Sequence, residues 1–189
     1  MYLLVAGFVA FAAWGTKLAF DKQKDETAVP AIHAQHITLT DVMGENLPPP
    51  PDQVENDSTV AGIDKNNNGV RDDVELAIFK KYPNSAKIRA AELQYASVIQ
   101  RSLTEVYDNN SWIAIAQEWT RAIFCIVDTY PKGDKNRYNA NDPRSVEVEK
   151  LVLNTQARKD AYKKAFDFTT SYGDLPGNEC DIDLTTLPN

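Results

Sequence analysis

The chain has 189 residues, enough for one ordinary domain with additional segments, and 43% of them are hydrophobic, which is normal for a globular protein. It carries 27 acidic against 20 basic residues, a formal net charge of −7. A nucleic-acid partner requires a basic face that neutralises phosphates, so this balance argues against DNA or RNA binding. The same balance is compatible with binding a divalent cation.

An uncharged apolar stretch opens the chain. Residues 1–16 contain no charged side chain, and Lys17 ends the run. This length predicts a signal peptide or a membrane anchor at residues 1–20, although the stretch lacks a basic start and is shorter than a full span of ~20 residues. A buried N-terminal helix is the alternative. We expect export or membrane attachment through residues 1–16, and hence a periplasmic or membrane-anchored protein of the cell envelope.

Residues 21–60 are predicted to form an extended linker. They contain four consecutive prolines, residues 48–51, which favour polyproline II structure. Such a linker would hold the rest of the protein away from a membrane, whereas the alternative is an ordered segment lying along the domain. His33 and His36 fall here. Their spacing would let them share a metal on a helix, but without an evident third ligand we interpret them as two solvated side chains.

Residues 64–75 have oxygen-bearing side chains at the spacing of an EF-hand calcium loop. The predicted ligands are Asp64, Asn66, Asn68, the backbone carbonyl of Val70, Asp72 and Glu75. Gly69, at the sixth loop position, permits the sharp turn that such a loop needs. Because calcium takes six to eight oxygen ligands, the sequence predicts one bound Ca²⁺. The alternative is a polar turn that only caps the helix that follows.

The composition of the loop predicts a weak site. Three of the side-chain ligands are carboxylates and two are neutral asparagines. We therefore expect a dissociation constant on the order of 10⁻⁵ to 10⁻³ M, which suits extracellular calcium. An ion bound with that affinity would be structural rather than a cytosolic signal.

The stretch GIDKNNNGVRDDVELAIFKKY, residues 62–82, resembles one half of a dockerin-type repeat, in which a helix follows the calcium loop directly. Dockerins carry two such repeats and this sequence has one, so cohesin binding is not implied. Arg71 stands at the eighth loop position, where paired EF-hands carry an apolar residue, and this predicts a solitary loop packed against the helical domain. The string LPPPPDQVENDSTVAGIDKNNNGVRDDVE is similar to one in exported bacterial proteins, which implies a bacterial envelope setting.

Apolar residues recurring every three or four positions predict helices over residues 72–82, 88–106, 112–130 and 143–172. Ser111 is the expected N-cap of the third helix, and Gly173 the expected C-cap of the fourth. The predicted fold is all-α, a small bundle of about four helices over residues 61–189, preceded by the solitary EF-hand-like loop.

Two further patterns concern binding and redox state. Trp112, Trp119 and Tyr130 lie on one predicted helix face, which can line a ligand groove but more often packs in a core. Cys125 and Cys180 form an even, widely spaced pair, which in an exported protein predicts a disulfide. Two free thiols are the alternative.

The sequence contains no nucleophile elbow, no Cys–His pair placed for catalysis and no phosphate-binding loop. Its carboxylates, notably Glu147, Glu149, Asp181 and Asp183, would need the fold to bring two of them together. We therefore predict a non-enzymatic, calcium-binding cell-envelope protein whose helical domain binds another envelope macromolecule. The alternative is a hydrolase acting on envelope polymers, which a pocket containing two carboxylates would favour.

Overall fold

A computed structural model describes residues 27–139 and 142–188. Within these ranges all regular secondary structure is helical and no strand occurs, which confirms the all-α prediction. The predicted signal peptide or anchor at residues 1–20, with the membrane attachment expected through residues 1–16, lies outside the described residues. In the two ranges that are described, no helix is both long and apolar enough to cross a membrane.

The described part of the chain forms eight α-helices and two short 3₁₀ helices. The α-helices are α1 (residues 27–34), α2 (Leu39–Met43), α3 (Gln53–Asp57), α4 (Asp72–Lys81), α5 (Ala86–Ser102), α6 (Asn109–Asp128), α7 (Pro143–Val152) and α8 (Gln156–Ala165). The 3₁₀ helices are Phe166–Phe168 and Leu184–Thr186. Helix α5 is central, because residues 91–100 are all buried and it packs against α2, α4, α6, α7 and α8.

Three of the four predicted helices occur close to their expected positions, as α4, α5 and α6. The start of α6 differs, because Asp108 is the N-cap and Ser111 lies three residues inside the helix. The two form a capping box: the Asp108 carboxylate accepts from the Ser111 backbone N–H at 2.8 Å, and the Ser111 hydroxyl bonds the backbone N–H of Asp108 at 3.1 Å. A capping box satisfies two N–H groups that the first helical turn leaves free.

The predicted fourth helix is two helices, α7 and α8. Leu153 leaves helical geometry with φ −93° and ψ 38°, and Thr155 then caps α8 by accepting from the Arg158 backbone N–H at 3.2 Å. Side chains such as Thr155 compete with the helical backbone for hydrogen bonds, which favours a new helix start. The expected C-cap at Gly173 is also wrong, because α8 ends at Ala165.

Residues 27–60, here called the N-terminal strap, lie along the helical domain. Ile32 and Val42 are fully buried members of the same core as α5. Two arginines of α5 donate hydrogen bonds to backbone carbonyls of the strap. Arg101 donates to the Ile32 carbonyl at 2.8 Å, and Arg89 donates to the Val42 carbonyl at 3.0 Å. Over residues 27–60 the predicted extended linker is instead an ordered segment that packs on the helices following it, without a boundary at residue 61, because these apolar side chains complete the core.

A third arginine, Arg158 of α8, fastens the end of the strap. Its side chain is fully buried and donates to the carbonyls of Asn56 at 2.5 Å, Thr59 at 3.2 Å and Val60 at 3.1 Å. It also pairs with the Asp57 carboxylate at 2.7 Å. One guanidinium thus satisfies several backbone acceptors that would otherwise be buried without partners. This contact sets the path of the chain immediately before the predicted calcium loop.

Cys125 and Cys180 form the predicted disulfide, with an S–S distance of 2.06 Å. The bond ties the C-terminal tail to α6 across 55 residues of sequence. In the chain-entropy account, closing a loop of that length stabilises the fold by about 4 kcal/mol, through the unfolded state.

The tail, α6 and the strap meet in a charged cluster, in which His33 is half-buried while His36 stays exposed, and each has a carboxylate partner that the sequence did not indicate. His33 Nδ1 lies 2.7 Å from Glu118 Oε1, and His36 Nδ1 lies 2.8 Å from Asp181 Oδ1. The Arg121 guanidinium pairs with both carboxylates, which are almost fully buried. His33 meets Glu118 of α6, whereas His36 meets Asp181 because the disulfide at Cys180 holds the tail beside the strap.

Glu92 of α5 provides a test of burial through pH. It is 2% exposed, and burial raises its pKa to about 7, although the Tyr82 hydroxyl and Arg144 act in the opposite direction. The unfolded carboxyl titrates near 4.5. The stabilisation that this group contributes is therefore complete below about pH 4.5 and is lost as the pH rises through about 7.

We expect Glu92→Gln to remove that part of the pH dependence, measured by urea unfolding at about pH 5 and about pH 8. If the free energy of unfolding changed by the same amount between the two pH values in both proteins, the prediction would be wrong.

Candidate metal centre

The backbone of residues 64–75 turns sharply between the strap and α4. Asn67 and Gly69 adopt left-handed conformations, with φ of 56° and 83°. A Cβ atom on Gly69 would lie 2.1 Å from Gln35 Nε2 and 2.9 Å from Ser97 Oγ. Glycine is favoured here, because the left-handed conformation strains other residues and a Cβ atom would force the side chains of Gln35 and Ser97 to move.

Two aspartates accept hydrogen bonds from backbone N–H groups on the opposite side of the loop. Asp64 accepts from the backbone N–H of Gly69 at 2.9 Å and from that of Asn68 at 3.3 Å. Asp72 accepts from the backbone N–H of Lys65 at 2.9 Å, and its own N–H donates to the Ile63 carbonyl at 2.8 Å. The loop is thereby closed across its ends, with the carboxylates directed inward rather than toward solvent.

Three side-chain oxygens of the loop are buried without a hydrogen-bond partner: Asn66 Oδ1, Asp72 Oδ2 and Glu75 Oε1. Asp72 and Glu75 are fully buried. The second oxygen of Glu75 accepts from Asn66 Nδ2 at 3.0 Å, so the two side chains are adjacent. A buried polar atom without a partner costs about 1–3 kcal/mol, and a charged one costs more. Three such oxygens in twelve residues mark a place where a cation would be favourable.

The remaining predicted ligands lie in the same loop but are less available. Asn68 Oδ1 accepts from the Val70 backbone N–H at 2.9 Å, so that side chain shapes the turn. The Val70 side chain is fully buried, and only its carbonyl was expected to bind the ion. The structure thus places all six predicted positions in one closed loop, and leaves a free oxygen on three of them.

Acidic groups alone do not make a metal site here. Across residues 27–139 and 142–188, no group of three or more His, Cys, Asp or Glu side chains is placed to hold a metal ion. A site in this loop would need neutral oxygens beside its carboxylates, and the unpartnered amide oxygen of Asn66 is one. Such a set of hard oxygens fits calcium better than zinc, which prefers nitrogen and sulfur ligands.

Burial raises the pKa values of the acidic residues in the loop. The pKa of Glu75 rises to about 7, because burial penalises its charged form more than the hydrogen bond from Asn66 favours it. Burial also raises the pKa of Asp64 and of Asp72, against the backbone N–H groups that each accepts from. The protein alone therefore does not stabilise the full negative charge of this loop, and a bound cation would.

Arg71, at the eighth loop position, attaches the loop to the helical domain. Its fully buried guanidinium donates to the carbonyls of Leu151 at 2.9 Å and Val152 at 3.0 Å, and pairs with Asp73. These carbonyls end helix α7, where a helix has unpaired acceptors and partial negative charge. The sequence predicted a loop packed on the helical domain, and the structure identifies the end of α7 as the packing partner.

The strap also packs against the outside of the loop, a contact that the sequence did not reveal. Asn66 Nδ2 donates to the Asn46 carbonyl at 3.1 Å, and Pro48 and Pro49 line a shallow depression together with Lys65. No periodic pattern connects residues 46–49 with the loop. Only the ordered path of the strap brings them together.

The carboxylates considered for hydrolysis have other partners. Glu149 accepts from the Tyr95 hydroxyl at 2.5 Å, and Glu147 pairs with Lys81 at the surface. Asp181 belongs to the cluster with His36 and Arg121, whereas Asp183 caps a 3₁₀ helix. Asp142 and Glu149 do line one groove, but Asp142 is the N-cap of α7.

The three aromatic residues that were predicted on one helix face lie in two separate places in the structure. Trp112 and Trp119 line an apolar cavity between α5, α6 and α8. Tyr130 lies apart from it, beneath Arg144, whose guanidinium carbon is 4.0 Å from the ring centroid.

Comparison of the chain with protein-family models, with curated proteins and with solved structures finds no match. The class of protein is therefore defined by its own geometry: an all-α domain with an N-terminal strap and a closed, oxygen-rich loop at the start of α4.

Proposed function

We propose that residues 64–75 bind one calcium ion that stabilises the fold, in a cell-envelope protein whose helical domain binds another envelope macromolecule. The observation that carries the calcium proposal is the set of three buried, unpartnered oxygens on Asn66, Asp72 and Glu75. They occur in one closed loop, at the positions where an EF-hand loop presents its ligands.

In this proposal Asn66, Asp72 and Glu75 hold the ion, with Asp64, Asn68 and the Val70 carbonyl as the further ligands. A bound divalent cation supplies positive charge where three carboxylates are shielded from water. Glu75 then keeps its charged form well below the pH at which it would ionise in the empty loop. The donors are held in place by the hydrogen bonds of Asp64 and by the contact of Arg71 with α7.

The location of the loop supports a structural role for the ion. The loop contacts the strap through Asn46 and α7 through Arg71, and its last four residues form the first turn of α4. Ordering the loop therefore strengthens the attachment of three separate parts of the chain. We expect calcium to act on stability, because an ion that binds the native state alone raises the free energy of unfolding.

Two observations support the envelope and interaction parts of the proposal. The disulfide between Cys125 and Cys180 fits an oxidising compartment outside the cytosol. Five large aromatic side chains are exposed on α6 and on the segments that follow α6 and α8, and exposed apolar surface of this kind supports a binding role. They are Trp119, Phe124, Tyr138, Phe166 and Tyr172, with exposed fractions from 38% to 76%.

The test is a calorimetric titration of the full chain with calcium, after treatment with a chelator. We expect one saturable site with a dissociation constant on the order of 10⁻⁵ to 10⁻³ M, together with a rise in melting temperature. Magnesium should bind more weakly, since it tolerates irregular oxygen ligands poorly. No calcium heat and no shift in melting temperature at millimolar calcium would leave the loop as a polar helix cap and refute the proposal.

A further inference from the structure

A second candidate site is an apolar cavity of about 140 Å³ between helices α5, α6 and α8. Two tryptophans of α6, Trp112 and Trp119, form one wall, and Tyr162 of α8 contributes another. Val98 and Ile99 of α5 line the interior. Protein interiors are normally packed with few voids larger than a water molecule, so a space of this size among large side chains requires an explanation.

The lining is mostly apolar and favours an apolar occupant. The hydroxyl of Ser102, the aliphatic alcohol in the lining, donates to the Ile99 carbonyl at 2.6 Å and is already satisfied. Water in a cavity needs two to four polar partners, whereas an apolar cavity of similar size, about 150 Å³, stays dry and binds benzene. The match in volume and chemistry points to a neutral hydrocarbon group.

A short segment after α8 borders the opening of the cavity. Residues 166–173, here called the cover segment, place Phe166 and Tyr172 in the lining of the cavity. Tyr172 meets Trp112 edge to face, with ring centroids 5.6 Å apart, and its hydroxyl lies 3.0 Å from Thr120 Oγ1. Gln117 Nε2 donates to the Gly173 carbonyl at 2.8 Å.

The cover segment contributes little apolar burial of its own. Phe166 is 51% exposed and Tyr172 is 38% exposed. A segment with few buried contacts opens locally at low free-energy cost. The cover segment therefore provides a route by which a small molecule can reach the cavity without global unfolding.

We propose that this cavity binds a small neutral hydrocarbon group of about the volume of benzene, either a free apolar molecule or the end of an acyl chain. The rings of Trp112, Trp119 and Tyr162 provide the contact surface. Tyr172 closes over the ligand. This site is separate from the calcium loop and stands whether or not calcium binds there.

The experiment is ¹⁹F NMR of fluorobenzene titrated with the full chain. We expect saturable binding with a dissociation constant on the order of 10⁻³ M or tighter. Ala165→Leu and Ala116→Leu place a larger side chain inside the cavity and should weaken binding at least about tenfold. Ala157→Leu, an exposed position on α8, is the matched control and should bind fluorobenzene like the wild type.

Octanoate, added as a competitor, identifies the source of the hydrocarbon. Displacement of fluorobenzene by octanoate supports an acyl-chain end, and binding without displacement supports a compact free molecule. Absence of saturable wild-type binding would overturn the proposal, and this result does not depend on the variants folding. Equal affinity in folded Ala165→Leu and Ala157→Leu, with folding checked by thermal melts, would also overturn it, because the ligand would then lie elsewhere.

Discussion

Glu75→Gln is expected to weaken calcium binding roughly 100-fold and to abolish the rise in melting temperature that calcium produces. Glu75 is the twelfth loop residue, and an EF-hand loop uses both oxygens of that carboxylate. In this structure the side chain is fully buried, with Oε1 unpartnered and Oε2 beside Asn66. Glutamine keeps the size and one oxygen but removes the charge. Calorimetry and thermal melts with and without calcium measure both effects.

The same variant should behave oppositely without calcium. At about pH 8 the native Glu75 carboxyl has lost the proton that its pKa of about 7 retains at lower pH. A buried charge without a partner is unfavourable, so Glu75→Gln should then melt at a higher temperature than the wild type. With calcium present, the wild type should be the more stable protein. This reversal is specific to an ion-binding carboxylate.

Glu92→Gln provides a matched control for that reversal. Glu92 is also a buried glutamate with a pKa of about 7 and one unpartnered oxygen, but it lies in α5 outside the loop. Glu92→Gln should raise the calcium-free melting temperature at about pH 8 and leave the response to calcium unchanged. If Glu75→Gln and Glu92→Gln responded identically to calcium, the loop would not be the binding site.

Arg71→Met should destabilise the protein by about 2–4 kcal/mol, because removing the buried guanidinium leaves two helix-end carbonyls without a donor and a half-buried carboxylate without its partner. The groups left behind are the Asp73 carboxylate and the carbonyls of Leu151 and Val152. For a chain of this size, the change corresponds to a fall in melting temperature of about 10 °C. Chemical unfolding in a chelator measures the free energy of unfolding without any contribution from calcium.

Calcium affinity should also fall in Arg71→Met, since the loop loses its contact with α7. Lys81→Met, at the other end of α4, is the control. Lys81 pairs with Glu147 at the surface, with side-chain exposures of 38% and 47%, and exposed pairs contribute about 0–1 kcal/mol. A loss in Arg71→Met no larger than that in Lys81→Met would show that the contact with α7 does not hold the loop.

Local chemistry made some features predictable from the sequence. Apolar spacing predicted α4, α5 and α6, since a helix hides one face at a period of 3.6 residues. The oxygen-bearing residues of the loop are close in sequence, so their spacing alone brought Asp64 and Glu75 into one candidate site. The disulfide was predictable from cysteine number, since the sequence contains just these two cysteines.

Features that depend on distant contacts were not predictable in the same way. The break between α7 and α8 depends on Thr155 capping a new helix, and the sequence pattern continued across it. The N-terminal strap has little periodicity, yet it is ordered because Arg89, Arg101 and Arg158 bind its carbonyls from distant helices. An arginine in a sequence does not reveal whether it will be buried.

For the candidate metal centre, the sequence by itself determined which residues form the loop and which of them carry ligand oxygens. The tertiary structure decided which oxygens are left without partners and how far burial raises the pKa of Glu75. It also decided that Arg71 joins the loop to the end of α7. The physical reason is that ligand identity is local, whereas desolvation depends on everything that packs around the site, here the strap, α5 and α7.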